Sequence, residues 1–141
     1  MADMKVRDVM TQEVVYLPAD TTLDEAARTM RERDIGDVVI TEGQTLAGVV
    51  TDRDIVLRAI AERQDPTATP LGTIASRDLV MIEQNASTNE AANMMRERAV
   101  RRLLVCDADR QLVGIVSLGD LAMAQDPSSA LSDISEAPPN N

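Results

Sequence analysis

Two stretches of this 141-residue chain, GVVTDRD at residues 48–54 and GIVSLGD at 114–120, each place a hydroxyl three positions ahead of an aspartate: Thr51 with Asp54, and Ser117 with Asp120. That spacing serves two chemistries. In the first, hydroxyl and carboxylate each accept a hydrogen bond from the other's backbone N–H and so start a helix, with the carboxylate well placed against the helix macrodipole. In the second, the carboxylate accepts from both hydroxyls of a ribose while the Thr or Ser hydroxyl and nearby N–H groups meet a phosphate. The same atoms can serve both.

Little else in the chain could carry catalysis. It has no His, so the usual zinc sets and the Ser/His or Cys/His nucleophiles are missing. The lone cysteine, Cys106, follows the apolar run 103–105 and reads as a buried, inert thiol. No glycine-rich phosphate loop is written, and Asp52 and Asp54 lack an evident acid–base asymmetry. The expectation is a protein that is not an enzyme.

A net charge of −10 and a pI near 4.4 repel polymeric nucleic acid and anionic membrane surfaces alike, leaving room only for a small anion in a local basic pocket. No apolar run approaches the roughly 18 residues that span a bilayer, and MADMKVRDVM has no secretory apolar region, so a cytoplasmic location is expected. With no Phe, no Trp and only Tyr16, the core must be built from Val, Ile, Leu, Ala and Met.

The elements that must position Thr51, Asp54, Ser117 and Asp120 come from a duplication. Shifted by 65 positions, EAARTMRER at 25–33 falls on EAANMMRER at 90–98 with seven of nine residues identical, and beyond one inserted residue near Asp109 the offset becomes 66, aligning Gly48 with Gly114 and Asp54 with Asp120. In each unit Thr22 or Ser87 stands three residues before Glu25 or Glu90, the spacing of a capping box. Leu23, Ala26, Ala27 and Met30 then recur at helical spacing, and Gly36 should end that helix near Asp34. Two short apolar runs follow, 38–40 and 46–50, joined by TEGQT as a hairpin; their counterparts are 103–106 and 112–116. A last helix should run from 52 to about 63, and its copy from about 118 to 125.

Each unit therefore reads strand, helix, strand, strand, helix. The expected fold class is α+β, two pseudo-symmetric β-α-β-β-α units packed sheet to sheet. The boundaries follow from composition: a first unit at 1–63, a Pro- and Gly-containing linker at 64–72, a second unit at 73–125, and an acidic tail expected to be disordered at 126–141.

Doubled β-α-β-β-α units with Gly-x-x-Thr/Ser-x-x-Asp at the end of the third strand resemble the tandem CBS (cystathionine beta-synthase) domain. The phrases VRDVMT, DTTLDEAARTMRERDIG, LAGVVTDRDIVLRAI and AVRRLLVCDADRQLVGIVSLGDL carry the likeness over about residues 4–125, and the connection DRDIVLRAIAERQDP is similar to that of small two-CBS proteins of the bacterial hypoxic response type. The resemblance implies a regulatory module that binds adenosine-containing ligands in clefts between the units. AMP, ADP or ATP come first, S-adenosylmethionine or NADH next. It also implies a homodimer, and a protein target reached in trans.

By family position the adenine would lie between aliphatic walls. Val14, Val15, Ile35, Gly36, Asp37 and Val38 would supply them in the first repeat, and Leu79, Val80, Val100, Arg101, Arg102 and Leu103 in the second. Thr51, Asp54, Ser117 and Asp120 would hold the sugar and phosphate. Two departures stand out: Val39 and Leu104 replace a proline common in the second strand, and SLGD replaces a more charged sequence. Asp37 brings negative charge to the first site, whereas Arg101 and Arg102, in a run with Arg96 and Arg98, read equally as solvated helix-end charge or as a phosphate clamp. Against this stands a ligand-free dimeric scaffold with vestigial pockets.

Overall fold

In the computed structural model, which describes residues 4–125, the chain opens on a single helical turn, α1 (Val6–Val9). There follow β1 (Tyr16–Pro18), α2 (Leu23–Arg33), β2 (Asp37–Glu42), β3 (Thr45–Thr51) and α3 (Asp52–Asp54), which continues as a π-helical stretch over Ile55–Ile60. After a 3₁₀ turn at Leu71–Thr73 the order recurs as β4 (Met81–Glu83), α4 (Thr88–Arg98), β5 (Arg102–Cys106), β6 (Leu112–Ser117) and α5 (Leu118–Gln125). The β-α-β-β-α order expected of each repeat is what the chain adopts. Each repeat forms its own three-stranded sheet, β1-β2-β3 and β4-β5-β6, with the first pair parallel and the second antiparallel. No helix among the described residues is long and apolar enough to cross a membrane.

Helix α2 buries Leu23, Ala26 and Met30, three of the residues at helical spacing, while Ala27 stays exposed. It ends at Asp34, which takes the left-handed conformation at φ 54°, and α4 ends the same way at Ala99, φ 55°. The expected capping box at Thr22 does not form. Asp24 intercepts the Thr22 hydroxyl, which donates to its Oδ1 at 2.6 Å, and that same oxygen takes the Glu25 N–H at 2.9 Å. At Ser87 the hydroxyl does accept from the Glu90 N–H, at 3.1 Å. The helix expected over 52–63 is also shorter: its π turn closes with Ala61 N–H donating to Val56 O, and Arg63 turns left-handed at φ 60°.

The segment leading into each repeat completes the other repeat's sheet and core. Among the described residues, 4–13 group with 80–125 in one compact unit, and 14–79 form the second. Lys5 bridges Ser87 and Thr11 bridges Ile115; 65 residues on, Pro70 bridges Thr22 and Ser76 bridges Val49. Val6 lies fully buried among Val80, Ile82, Ala91, Met95, Leu103, Val105, Val116 and Leu121. Leu71, fully buried, and Ile74, nearly so, pack among Leu23, Ala26, Met30, Val38, Ile40, Val50 and Ala59. Burying Val6 or Leu71 contributes about 1.5–3 kcal/mol each.

These leaders also supply partners for helix starts, where backbone N–H groups have none within the helix. Thr69 O accepts from Leu23 N and Pro66 O from Asp24 N at the start of α2, and Met4 O accepts from Thr88 N at the start of α4. Residues 64–72, expected as a Pro- and Gly-containing linker, are bonded to α2 and carry the buried Thr69 and Leu71. The compact units divide the chain at 13/14 and 79/80, where composition suggested 63/64 and 72/73. The tail at 126–141 lies outside the described residues.

Candidate functional site

Both hydroxyl–aspartate pairs form closed capping boxes. Thr51 N–H donates to Asp54 Oδ2 at 2.9 Å while Asp54 N–H donates to Thr51 Oγ1 at 3.0 Å. Ser117 N–H donates to Asp120 Oδ2 at 2.9 Å, and Asp120 N–H to Ser117 Oγ at 3.1 Å. The structural role is thus met in full, at the same atoms in both repeats. It does not exhaust the carboxylates, because each carboxylate oxygen has two acceptor directions. In the first repeat Asp54 Oδ1 faces Arg58 Nε at 3.7 Å; in the second, the matching residue is Ala124.

Sheet register brings the remaining candidates to these boxes. Asp37 stands opposite Thr51 and Val38 opposite Val50, while Arg102 stands opposite Ser117 and Leu103 opposite Val116. Just outside the ladders, Gly36 O accepts from Asp52 N and Arg101 O from Leu118 N, both at 2.9 Å. The chain entering the first strand joins from the other side, where Val15 O accepts from Val39 N and Val80 O from Leu104 N, again both at 2.9 Å. One end of each sheet therefore gathers its cap, the turn before its second strand and the approach to its first.

The side chains divide by burial. Val38, Val80 and Leu103 sit inside the two cores, so their side chains serve packing and only their backbones border the boxes. Val15, Ile35 and Val100 are half-buried against those cores, and Val14 and Leu79 are half-buried just upstream of the strands. Gly36, Asp37, Arg102 and both hydroxyl–aspartate pairs are half-buried too, whereas Arg101 is exposed.

Sequence reasoning saw the charges of Asp37, Arg101 and Arg102 but passed over Asp52 and Arg58 as neighbours of the first site. A Cβ on Gly36 would lie 3.1 Å from Asp52 Oδ2, so the absence of a side chain there makes room for a carboxylate that the second repeat replaces with Leu118. Arg58, which also donates to Ile74 O at 3.2 Å, was not foreseen as the partner of Asp54. Its i,i+4 spacing from Asp54 was the available signal.

The fold and the paired caps define a tandem β-α-β-β-α module. The sequence matches the CBS domain over residues 6–60 and 71–126, and the chain belongs to the CBS domain family. It is 39% identical over 134 residues to the CBS domain-containing protein YhcV of Bacillus subtilis (strain 168), covering 92% of this chain and 94% of that one. It is likewise 39% identical over 117 residues to Hypoxic response protein 1 of Mycobacterium tuberculosis (strain ATCC 25618 / H37Rv), covering 82% and 81%. Among solved structures, Hypoxic Response Protein I with two coordinated zinc ions superposes with a TM-score of 0.67 at 38% identity, over 86% of this chain and 98% of that one. A CBS-domain protein from Burkholderia ambifaria MC40-6 shares the fold, with a TM-score of 0.80 at 24% identity over 89% and 96%. The zinc belongs to that relative: among the described residues here no group of three or more His, Cys, Asp or Glu side chains could hold a metal.

Proposed function

We propose that this protein is a non-catalytic regulatory module that binds an adenosine-containing ligand beside each capping box and passes its occupancy to a protein target in trans. AMP, ADP or ATP are the favoured ligands, with S-adenosylmethionine and NADH as further members of the class. The observation that carries the proposal is the repetition of one arrangement: a capped aspartate, the turn before the second strand and the approach to the first strand meet at one sheet end in both repeats. Two caps alone would need only the hydroxyl–aspartate spacing. The ribose hydroxyls would donate to Asp54 or Asp120 while the cap stays closed. With no aromatic side chain among the candidates, the half-buried aliphatics Val15, Ile35 and Val100 would contact the base.

The test is calorimetry and thermal shift with AMP, ADP, ATP, S-adenosylmethionine and NADH. A ligand present at a hundred times its dissociation constant stabilises the fold by about 2.7 kcal/mol. Asp54→Ala and Asp120→Ala should each remove one site. No shift with any of the five overturns the proposal.

A second reading, a ligand-free homodimeric scaffold, is favoured by a specific surface. Val56, Leu57 and Ile60, at 56%, 48% and 53% exposure, leave three large apolar side chains in water on one short helical stretch. Sedimentation that finds a dimer indifferent to every nucleotide would select this reading.

A further inference from the structure

The two sheet ends are alike in their caps and opposite in charge one step to the side. In the first repeat the residue donating its N–H to Gly36 O is Asp52, whose carboxylate stands where a side chain on Gly36 would crowd it. In the second repeat the same bond joins Leu118 N to Arg101 O, so one backbone position trades glycine and a carboxylate for a guanidinium and an alkyl chain. Arg101, Leu118 and Asp52 are all exposed. The wider sets keep the same sign. Asp37, Asp52 and Asp54 stand with Arg53 and Arg58 in the first repeat, and Arg101 and Arg102 stand with Asp120 in the second. Arg58 is already committed to Ile74 O and faces Asp54.

We propose that the two sites divide ligands by charge. The second repeat takes the phosphate-bearing ligand, with Arg101 selecting for phosphate. The first takes an adenosyl ligand whose substituent is neutral or cationic, with Asp52 selecting against phosphate. The inference rests on the ligand sites proposed above. A guanidinium pairs with phosphate oxygens through charge-assisted hydrogen bonds, often two at once, whereas a nearby carboxylate repels them.

The experiment is calorimetry on the full chain with ATP, adenosine and S-adenosylmethionine as probes, comparing the natural protein with Arg101→Gln and Asp52→Asn. Both variants leave the Thr51–Asp54 and Ser117–Asp120 bonds intact, and Asn keeps an oxygen for the Arg53 N–H that Asp52 Oδ1 accepts at 2.8 Å, so both should melt close to the natural protein. The natural protein should bind ATP at one strong site. Arg101→Gln should weaken ATP by about tenfold, the worth of one charge-assisted contact, and adenosine by less than about twofold. Asp52→Asn should admit ATP to a second site and weaken S-adenosylmethionine. Two equal ATP sites in the natural protein, or an Arg101→Gln effect equal on ATP and adenosine, overturns the division of charge and leaves the ligand sites standing. Failure of all three probes to bind overturns the division of charge, and the ligand sites fall with it when AMP, ADP and NADH fail as well.

Discussion

Gly48 lies so close to Ser76 that a Cβ added to it would come within 2.7 Å of the Ser76 carbonyl oxygen. Two backbone hydrogen bonds hold the pair there, Val49 N–H to Ser76 O at 3.0 Å and Ser76 N–H to Val49 O at 2.9 Å. Gly114 repeats the relationship, its added Cβ meeting Thr11 O at 2.8 Å and Met10 Sδ at 2.6 Å. The glycines that open GVVTDRD and GIVSLGD are thus the places where a leader's backbone docks on the third strand of a sheet. Gly48→Ala should cost about 1–3 kcal/mol, as overpacking does, because the obstacle is hydrogen-bonded backbone that cannot turn aside. Gly114→Ala should fall in the same range. Urea denaturation of the two variants checks this, and unchanged midpoints would refute the docking argument.

Removing either capping carboxylate should cost the apo protein about 1 kcal/mol. The Asp54–Arg58 pair adds little, since Arg58 is about half exposed and surface ion pairs contribute roughly 0–1 kcal/mol. Asp54→Ala and Asp120→Ala should therefore destabilise alike, within a few tenths of a kcal/mol. A much larger loss at Asp54, measured by chemical denaturation, would make Arg58 a structural partner of weight.

Acid should act through two identified carboxyls. The Thr22 hydroxyl holds the Asp24 carboxyl below the usual carboxylate range, and the Thr67 hydroxyl and N–H do the same for Asp65. A carboxyl with a lowered folded-state pKa binds protons less readily folded than unfolded. Its stabilisation is therefore present above the unfolded value, about 4, and is lost as the pH falls through the lowered one. Stability should decline as the pH drops below about 4, and Thr22→Ala combined with Thr67→Ala should flatten that decline. Melting temperatures recorded from neutral pH downward test both statements.

The leaders make an unusual forecast for fragments. Residues 14–79 hold every member of the core built around Leu23, Ile40, Leu71 and Ile74, whereas residues 1–63 lack Leu71 and Ile74. The first fragment should show more helical circular dichroism and a more cooperative melt than the second. Equal behaviour would mean that the leader contributes nothing to the fold.

Much of this was legible because duplication wrote it twice. The match of 25–33 to 90–98 marks α2 and α4, and that of GVVTDRD to GIVSLGD marks both caps. The leaders were illegible for a physical reason: α1 is four residues long, too short for periodicity to register, and the bonds of Val6 and Arg7 run to Ala86 and Gln84, far along the chain. A glycine inside a strand does signal close backbone approach, and Gly48 and Gly114 carried that signal while serving only as marks of alignment. Thr22 misled because Asp24 Oδ1 took both its hydroxyl and the Glu25 N–H that this hydroxyl would otherwise have accepted. Local spacing names the residues able to cap and is silent on competition between them.

Because each leader is used by the opposite repeat, inheritance and consequence are crossed in this molecule. A lesion at Val6 would be suffered by the sheet that carries Ser117 and Asp120, and one at Leu71 by the sheet that carries Thr51 and Asp54. A change in one repeat's leader is therefore read out in the stability of the other repeat's sheet.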